Sequence, residues 1–318
     1  MPVRTVFLGS GEFAVPILEA LADAPEVELV GVITTPPRPV GRDAVITPTP
    51  VERRAKRLGL YVLTPERLRD PVCRVAIEAL DPELLVLSDY GRIVPQELLD
   101  IPPAGALNLH PSLLPRHRGA VPIPAAILAG DPVTGVTLMR MDAGLDTGPI
   151  VAQVEVPLSG DEDTPTLEGR LSRDAAQLLR DSLAGWLAGD LGAVPQADDG
   201  ATLTRPFRRG DGRMDPTRSA ADLERQVRAM RPWPGTYLEL PSGRLIVHAV
   251  GVTGERALGG IEPGALVAVG GGKASELALV TGDGLLRLDV VQPAGKGRMT
   301  GGELVRGRPG WLEATAVA

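Results

Sequence analysis

Two of the chain's three histidines fall within twelve residues, in the run Asn108-Leu109-His110-Pro111-Ser112-Leu113-Leu114-Pro115-Arg116-His117-Arg118-Gly119. Residues two apart on a strand lie on the same side of it, so the Asn108 carboxamide and the His110 imidazole share one side where the strand ends. Pro111 and Pro115 fix the loop that follows, and ligands of open α/β sheets bind outside the carboxyl ends of their strands. A second run, Met141-Asp142-Ala143-Gly144-Leu145-Asp146-Thr147-Gly148-Pro149, places two carboxylates in a Gly-rich turn after another strand. Such an Asp can simply cap its own backbone, or it can serve as an acid–base group beside Asn108 and His110.

Other candidates carry less. Gly9-Ser10-Gly11-Glu12-Phe13-Ala14 fits the permissive glycine pattern of dinucleotide sites, but the second strand ends Val32-Ile33-Thr34-Thr35 with no acid for a ribose hydroxyl. A tight strand-to-helix turn is the better reading. The single cysteine, Cys73, can form neither an internal disulfide nor a multi-cysteine metal site, and it reads as a small hydrophobe in a helix. His110, His117 and His248 lack metal-ligand spacing. His117 reads as a solvent-exposed loop residue.

The elements that must position these groups alternate between strand and helix. Strands are expected over residues 5–8, 27–33, 84–87, 106–109 and 136–141, with a strand start at 61–62, and helices over 13–21, 51–58 and 71–80. This alternation predicts an α/β domain built on a Rossmann-like, mostly parallel sheet covered on both faces. Leu167, Leu171, Leu178, Leu179, Leu183, Trp186 and Leu187 recur at helical spacing, giving an amphipathic helix over 166–187. Residues 189–204, poor in periodicity and rich in Gly, Ala, Asp and Pro, read as a linker. Beyond it a helix over 220–230 precedes short strands at 237–240, 245–250, 277–281 and 285–291, the spacing of a small β-barrel. The expected division is therefore 1–188, a linker 189–204, and 205–318.

With 318 residues, 43% hydrophobic and 23% charged, the chain can bury a core, and its nine aromatic residues leave that core to Leu, Val, Ile and Ala. No signal peptide or 18-residue apolar span is visible, so a soluble cytoplasmic protein with no membrane partner is expected. The net charge of −7 is unevenly spread. Residues 205–318 hold 16 Lys and Arg against 12 Asp and Glu, whereas residues 1–204 hold 17 against 28. That asymmetry permits a basic, partner-binding face on the C-terminal part.

Asn-x-His-Pro-Ser-Leu-Leu-Pro-x-x-Arg-Gly from Asn108, followed from Asp142 by Asp-x-Gly-Leu-Asp-Thr-Gly, resembles the formyltransferase family that uses 10-formyltetrahydrofolate. The full layout is most similar to the branch that formylates the amine of initiator methionyl-tRNA. Arg38-Pro39-Val40-Gly41-Arg42, Arg231-Pro232-Trp233-Pro234 and Gln292-Pro293-Ala294-Gly295-Lys296 match that branch. The resemblance implies an α/β catalytic domain and a small C-terminal OB-like β-barrel that helps hold tRNA. It implies that Asn108 and His110 donate to the oxyanion formed when the amine attacks the formyl carbon. Asp146 would tune His110 and help take the amine proton, and no covalent enzyme intermediate or metal is needed.

The resemblance further places the folate along Ser112, Leu113, Leu114 and Pro115, with the pterin near Asp89-Tyr90-Gly91-Arg92. Residue types alone also allow Ser112–Pro115 to be a rigid loop with a hydroxyl cap. Arg42 would sit in the Pro-rich loop that meets the acceptor end of tRNA, or be an ordinary solvated arginine. The chain departs from the family where Asp43, Ala44 and Val45 replace lysines, where Pro124 and Ala125 replace a polar–basic pair, and where Asp89 replaces a small residue. A related branch formylates the amine of a nucleotide-linked sugar with the same trio and the same folate, and stands as the alternative. A folate-sensing or RNA-binding module without turnover would be expected to have lost one of the trio.

Overall fold

The computed structural model describes residues 1–41, 43–253, 260–270, 275–312 and 314–315. Arg42, the residue expected to meet tRNA, lies outside the described residues. The chain divides into two compact units, one formed by 1–123, 132–158 and 166–205, the other by 124–131, 159–165 and 206–318.

The first unit opens with β1 (Val3–Gly9), α1 (Val15–Ala22), β2 (Val27–Ile33), the short strands β3 (Arg38–Val40) and β4 (Val45–Thr47), α2 (Pro50–Arg57) and β5 (Val62–Leu63). α3 (Pro71–Glu78), β6 (Leu84–Ser88), α4 (Gln96–Leu99), β7 (Ala106–His110) and β8 (Arg118–Gly119) follow. β9 (Val133–Arg140), β10 (Ile150–Pro157), α6 (Thr164–Ala188) and β11 (Leu203–Thr204) complete it, while α5 (Pro122–Ala129), between β8 and β9 in the chain, belongs mostly to the second unit. Its main sheet has the order β10-β9-β7-β6-β1-β2-β5. The strands from β7 to β5 run parallel, while β9 and β10 are antiparallel additions. The sheet is thus Rossmann-like and mixed, with a parallel core.

Strand burial follows from position. β6, Leu84-Leu85-Val86-Leu87-Ser88, lies between two neighbours and is buried at every residue, as a central parallel strand must be when both faces are covered. Val6, Leu8, Leu85 and Leu87 join Ile77 of α3 and Leu98 of α4 in one apolar cluster. Cys73 belongs to that cluster on α3, as its small apolar character suggests, and burial pushes its thiol pKa up. α6 buries Leu167, Leu171, Ala175, Leu179 and Leu183, one residue per turn. Trp186 on the same helix donates its indole N–H to the Ala104 carbonyl at 3.1 Å.

Two sequence expectations changed here. The Pro-rich stretch after β2 holds the small β3–β4 pairing, in which Val40, Val45 and Ile46 are exposed. The structure also adds β10, in which Gln153 and Glu155 alternate with Val154 and Val156 at the period of a half-buried strand.

The second unit contains α7 (Ala220–Ala229), β12 (Thr236–Leu240), β13 (Gly243–Val252), β14 (Leu266–Val269), β15 (Glu276–Val280), β16 (Leu285–Pro293), β17 (Met299–Thr300), α8 (Gly301–Gly307) and β18 (Ala314–Thr315). Its sheet runs β12-β13-β16-β15-β14-β18, antiparallel except for the β14–β18 pair. β13 slips register against β16 around Ala249, a bulge of the sort that bends long strands. Leu223 and Val227 of α7 pack with Leu245, Val247, Leu286, Leu288 and Leu304 in a separate core. α8 begins in a capping box between Thr300 and Glu303. No helix among the described residues is long and apolar enough to cross a membrane.

Candidate active site

The site is built at the carboxyl end of β7, one of the parallel strands, where ligands of open α/β sheets bind. β7 sets Asn108 opposite Met139 of β9 and beside Leu87 of β6, and His110 opposite Thr137. Leu107 and Leu109, on the other face, are fully buried and lock the strand, while Asn108 is only half-buried. His110 is 5% exposed.

Of the three residues singled out for catalysis, His110 and Asp146 come together. His110 Nδ1 lies 3.6 Å from Asp146 Oδ2, and its Nε2 lies 3.0 Å from the His117 carbonyl oxygen. A carbonyl can only accept, so Nε2 carries the hydrogen of that bond. In a neutral imidazole Nδ1 is then a bare acceptor facing the carboxylate side. Burial lowers the His110 pKa and favours this neutral form, while the Asp146 charge and the His117 carbonyl oppose it more weakly. A neutral His110 in this arrangement can accept a proton at Nδ1, beside the Asp146 carboxylate.

The two carboxylates of the Gly-rich turn have separate places. Asp142 caps the turn, accepting from the Gly144 N–H at 3.0 Å and the Thr147 hydroxyl at 2.8 Å. Asp146 accepts the Gly119 N–H through Oδ2 at 2.8 Å and holds a left-handed backbone, φ +52°. Gly119 reaches it only because it has no side chain. A Cβ there would stand 2.4 Å from the Thr204 carbonyl oxygen, and its φ is +104°.

The loop 112–115 is held from below. The Thr137 hydroxyl donates to the Ser112 carbonyl at 2.7 Å and accepts from the Leu114 N–H at 3.1 Å. Gln153 of β10 donates to the Leu114 carbonyl at 3.0 Å and to the Thr137 hydroxyl at 2.8 Å. The Leu114–Pro115 peptide is cis. Ser112 is fully buried and its hydroxyl caps the Arg116 carbonyl at 2.7 Å; Leu114 is also buried, and Leu113 and Pro115 are partly exposed.

Above β1, the Ser10 and Gly11 N–H groups donate to the Asp89 carbonyl at 3.0 and 3.3 Å. The glycine turn is thus structural, and a side chain at Gly11 would displace the Asp89 carboxyl. Although solvent reaches Asp89, the protein around its carboxyl desolvates it and, with the Glu168 carboxylate, pushes its pKa up to about 7. The Ser10 hydroxyl joins the Tyr90 carbonyl to Thr34 and Thr35, and Thr34 meets Thr49, the N-cap of α2.

His117, expected as a solvent-exposed loop residue, is buried instead. It is 8% exposed, with φ +57°, and its N–H donates to the Thr202 hydroxyl at 2.8 Å. Its partner stands 85 positions away, so no local pattern could reveal the burial. Residues 189–204 also behave unlike a free tether. Val194 bridges Ile150, Gln196 holds the Asp146 turn, and β11 pairs in parallel with β8. In the second unit, Arg228 is spent on Glu224 and the Glu162 carbonyl, and Arg231 on Asp163 and the His248 carbonyl. Among the described residues no group of three or more His, Cys, Asp or Glu is placed to hold a metal ion.

Residues 3–183 match the formyl transferase family model, and residues 207–309 match the model for the formyl transferase C-terminal domain. The chain is 43% identical to a methionyl-tRNA formyltransferase of Roseiflexus sp. (strain RS-1), with 96% of this chain and 93% of the relative covered. It is 44% identical to a methionyl-tRNA formyltransferase of Halorhodospira halophila, with 97% of each covered. A solved N-formyltransferase from Helicobacter canadensis, in complex with folinic acid and dTDP-3-aminofucose, shares the fold with a TM-score of 0.66 and 16% identity, over 91% of this chain and 99% of that one.

Proposed function

The chain belongs to the formyl transferase family, and from that membership we propose that it transfers the formyl group of 10-formyltetrahydrofolate to the free amino group of initiator methionyl-tRNA. One observation carries the choice of acceptor: the likeness to methionyl-tRNA formyltransferases stays at 43–44% identity across 96–97% of the chain, second unit included. Likeness to the solved N-formyltransferase in complex with dTDP-3-aminofucose is of fold only, at 16% identity.

The substrate amine attacks the formyl carbon bound to N10, and a tetrahedral intermediate with an oxyanion forms. The Asn108 carboxamide, on the same strand face as His110, donates an N–H to that oxygen. His110 enters turnover neutral and accepts the proton released by the amine at Nδ1. The resulting imidazolium is stabilised by Asp146, 3.6 Å away. It then offers its Nδ1–H to the oxyanion or, through water, to N10, whose bond to the formyl carbon breaks as it is protonated. The folate lies along residues 112–115, with Leu113 and Pro115 offering apolar surface and the backbone offering polar groups held in place by Thr137 and Gln153. The catalytic groups lie within residues 1–188, held in place by the segment 189–204. Residues 205–318, with Arg42, contribute tRNA contacts, for which Arg208, Arg209, Arg213, Lys296, Arg298 and Arg308 remain candidates.

The test supplies full-length protein with 10-formyltetrahydrofolate and either charged initiator tRNA or aminated nucleotide sugars. Formylation of the tRNA with a kcat/KM at least a hundredfold above any sugar supports the reading. The reverse preference moves the chain to the sugar-acting branch.

A further inference from the structure

Asp146 owes its place to a residue fifty positions downstream. The Gln196 carboxamide donates through Nε2 to the Asp146 carbonyl at 2.9 Å and to the Gly148 carbonyl at 2.7 Å. Its Oε1 accepts from Arg118 Nε at 3.0 Å and Nη2 at 2.8 Å. Both N–H groups and both lone pairs are thereby used, which a half-buried amide seldom achieves unless its orientation is fixed. The groups it joins belong to the two segments that create the site. Arg118 precedes Gly119, whose N–H binds Asp146 Oδ2, and residues 146–148 carry the carboxylate itself. Asp146 sits in the left-handed region, which a non-glycine residue keeps only where its surroundings hold it. The opposite wall of the turn is closed, because a Cβ on Gly148 would lie 1.9 Å from the Arg140 carbonyl oxygen.

We propose that Gln196 is a positioning residue of the formyl-transfer site, clamping residues 146–148 against Arg118 so that the Asp146 carboxylate stays aimed at His110. This rests on the role proposed above for Asp146, stabilising the His110 imidazolium. The carboxamide is the group the position requires. A carboxylate would still accept from Arg118 but would turn acceptors on two carbonyls, and an alkyl side chain would leave the Asp146 and Gly148 carbonyls and the Arg118 fork without partners. A released turn lets the carboxylate drift, and a misplacement of about 1 Å at a catalytic group costs as much as ~100-fold in rate. The 112–115 loop is held instead by Thr137 and Gln153, so the loss is expected in kcat rather than in folate binding.

The experiment compares Gln196→Ala and the near-isosteric Gln196→Glu, each alone and combined with Asp146→Asn, in the full-length protein. The readouts are kcat, KM for both substrates, the pH dependence of kcat, and Tm. Each single Gln196 variant should lower kcat by ~10- to 100-fold with both KM values within about twofold. Its acidic limb should move to lower pH, the direction expected when His110 loses its carboxylate neighbour. Adding either change to Asp146→Asn should cost nothing more, since residues acting through one group are not additive. Losses that multiply in the double variants overturn the proposal, as does normal kcat in Gln196→Glu, or a lowered Tm with an unmoved pH profile. Should Asp146→Asn alone keep normal turnover, the imidazolium-stabilising role falls first and this one with it. A large effect of Asp146→Asn beside normal Gln196 variants sinks the clamp alone.

Discussion

Asp146→Asn probes the proton path most directly, because it keeps the side chain's shape and can still accept the Gly119 N–H. What it removes is a negative charge 3.6 Å from His110 Nδ1. At that separation an imidazolium and a carboxylate attract by about 4–5 kcal/mol with an effective dielectric near 20. The Asp146 side chain is 16% exposed, and solvent and salt reduce the figure, leaving about 3 kcal/mol. That energy is felt only once His110 has taken the amine proton, so it belongs to the transition state and should appear as a ~100-fold fall in kcat. KM for the folate and for methionyl-tRNA should be nearly unchanged, because neither ground state contains the imidazolium. Without the Asp146 charge, burial is opposed only by the His117 carbonyl, so the His110 pKa falls further and the acidic limb of activity moves to lower pH. The assay is initial-rate formylation of charged initiator tRNA from pH 5 to 8. Wild-type turnover in the variant, or a full loss with an unmoved acidic limb, would refute the pairing of His110 with Asp146.

Further outcomes follow from the same geometry. Asn108→Ala should cut kcat by roughly 100-fold or more through loss of one aimed donor, with folate affinity measured by titration little changed. Gly119→Ala should lower both Tm and kcat, because its Cβ would meet the Thr204 carbonyl at 2.4 Å in a left-handed backbone; an unchanged Tm in a thermal melt would count against the fit of β8 on β11. His110 is held neutral, below its ordinary value of 6.5, so protonation favours the unfolded chain. Wild-type stability should therefore decline as pH falls below about 6.5, and His110→Gln should flatten that part of the Tm–pH curve. For Asp89 the sign is opposite. Its raised pKa, about 7, makes the ionised form costly in the folded protein, so Asp89→Asn should raise Tm increasingly between pH 4 and 7 and level off above.

The sequence by itself determined the secondary elements of the parallel core, because each carries its own periodicity. Residues 27–33 match β2 at both ends, and the apolar runs at 84–87 and 106–109 lie inside β6 and β7. It also determined the candidate groups. Asn108 and His110 share a strand face by the alternation of a strand, and the motif joining them to Asp146 marked the family that the whole-chain similarity bears out. What it could not contain were relations between distant segments. Which carboxylate of the Gly-rich turn caps the backbone and which meets His110 depends on where Gly119 lies, 27 residues before Asp146. The burial of His117 depends on Thr202, and the hold on the Asp146 turn depends on Gln196. Residues 189–204 read as a linker because hydrogen bonds made by single side chains impose no period on a sequence. Only folding brings those side chains to the loops they fasten, and there tertiary structure decides how His110 and Asp146 face each other.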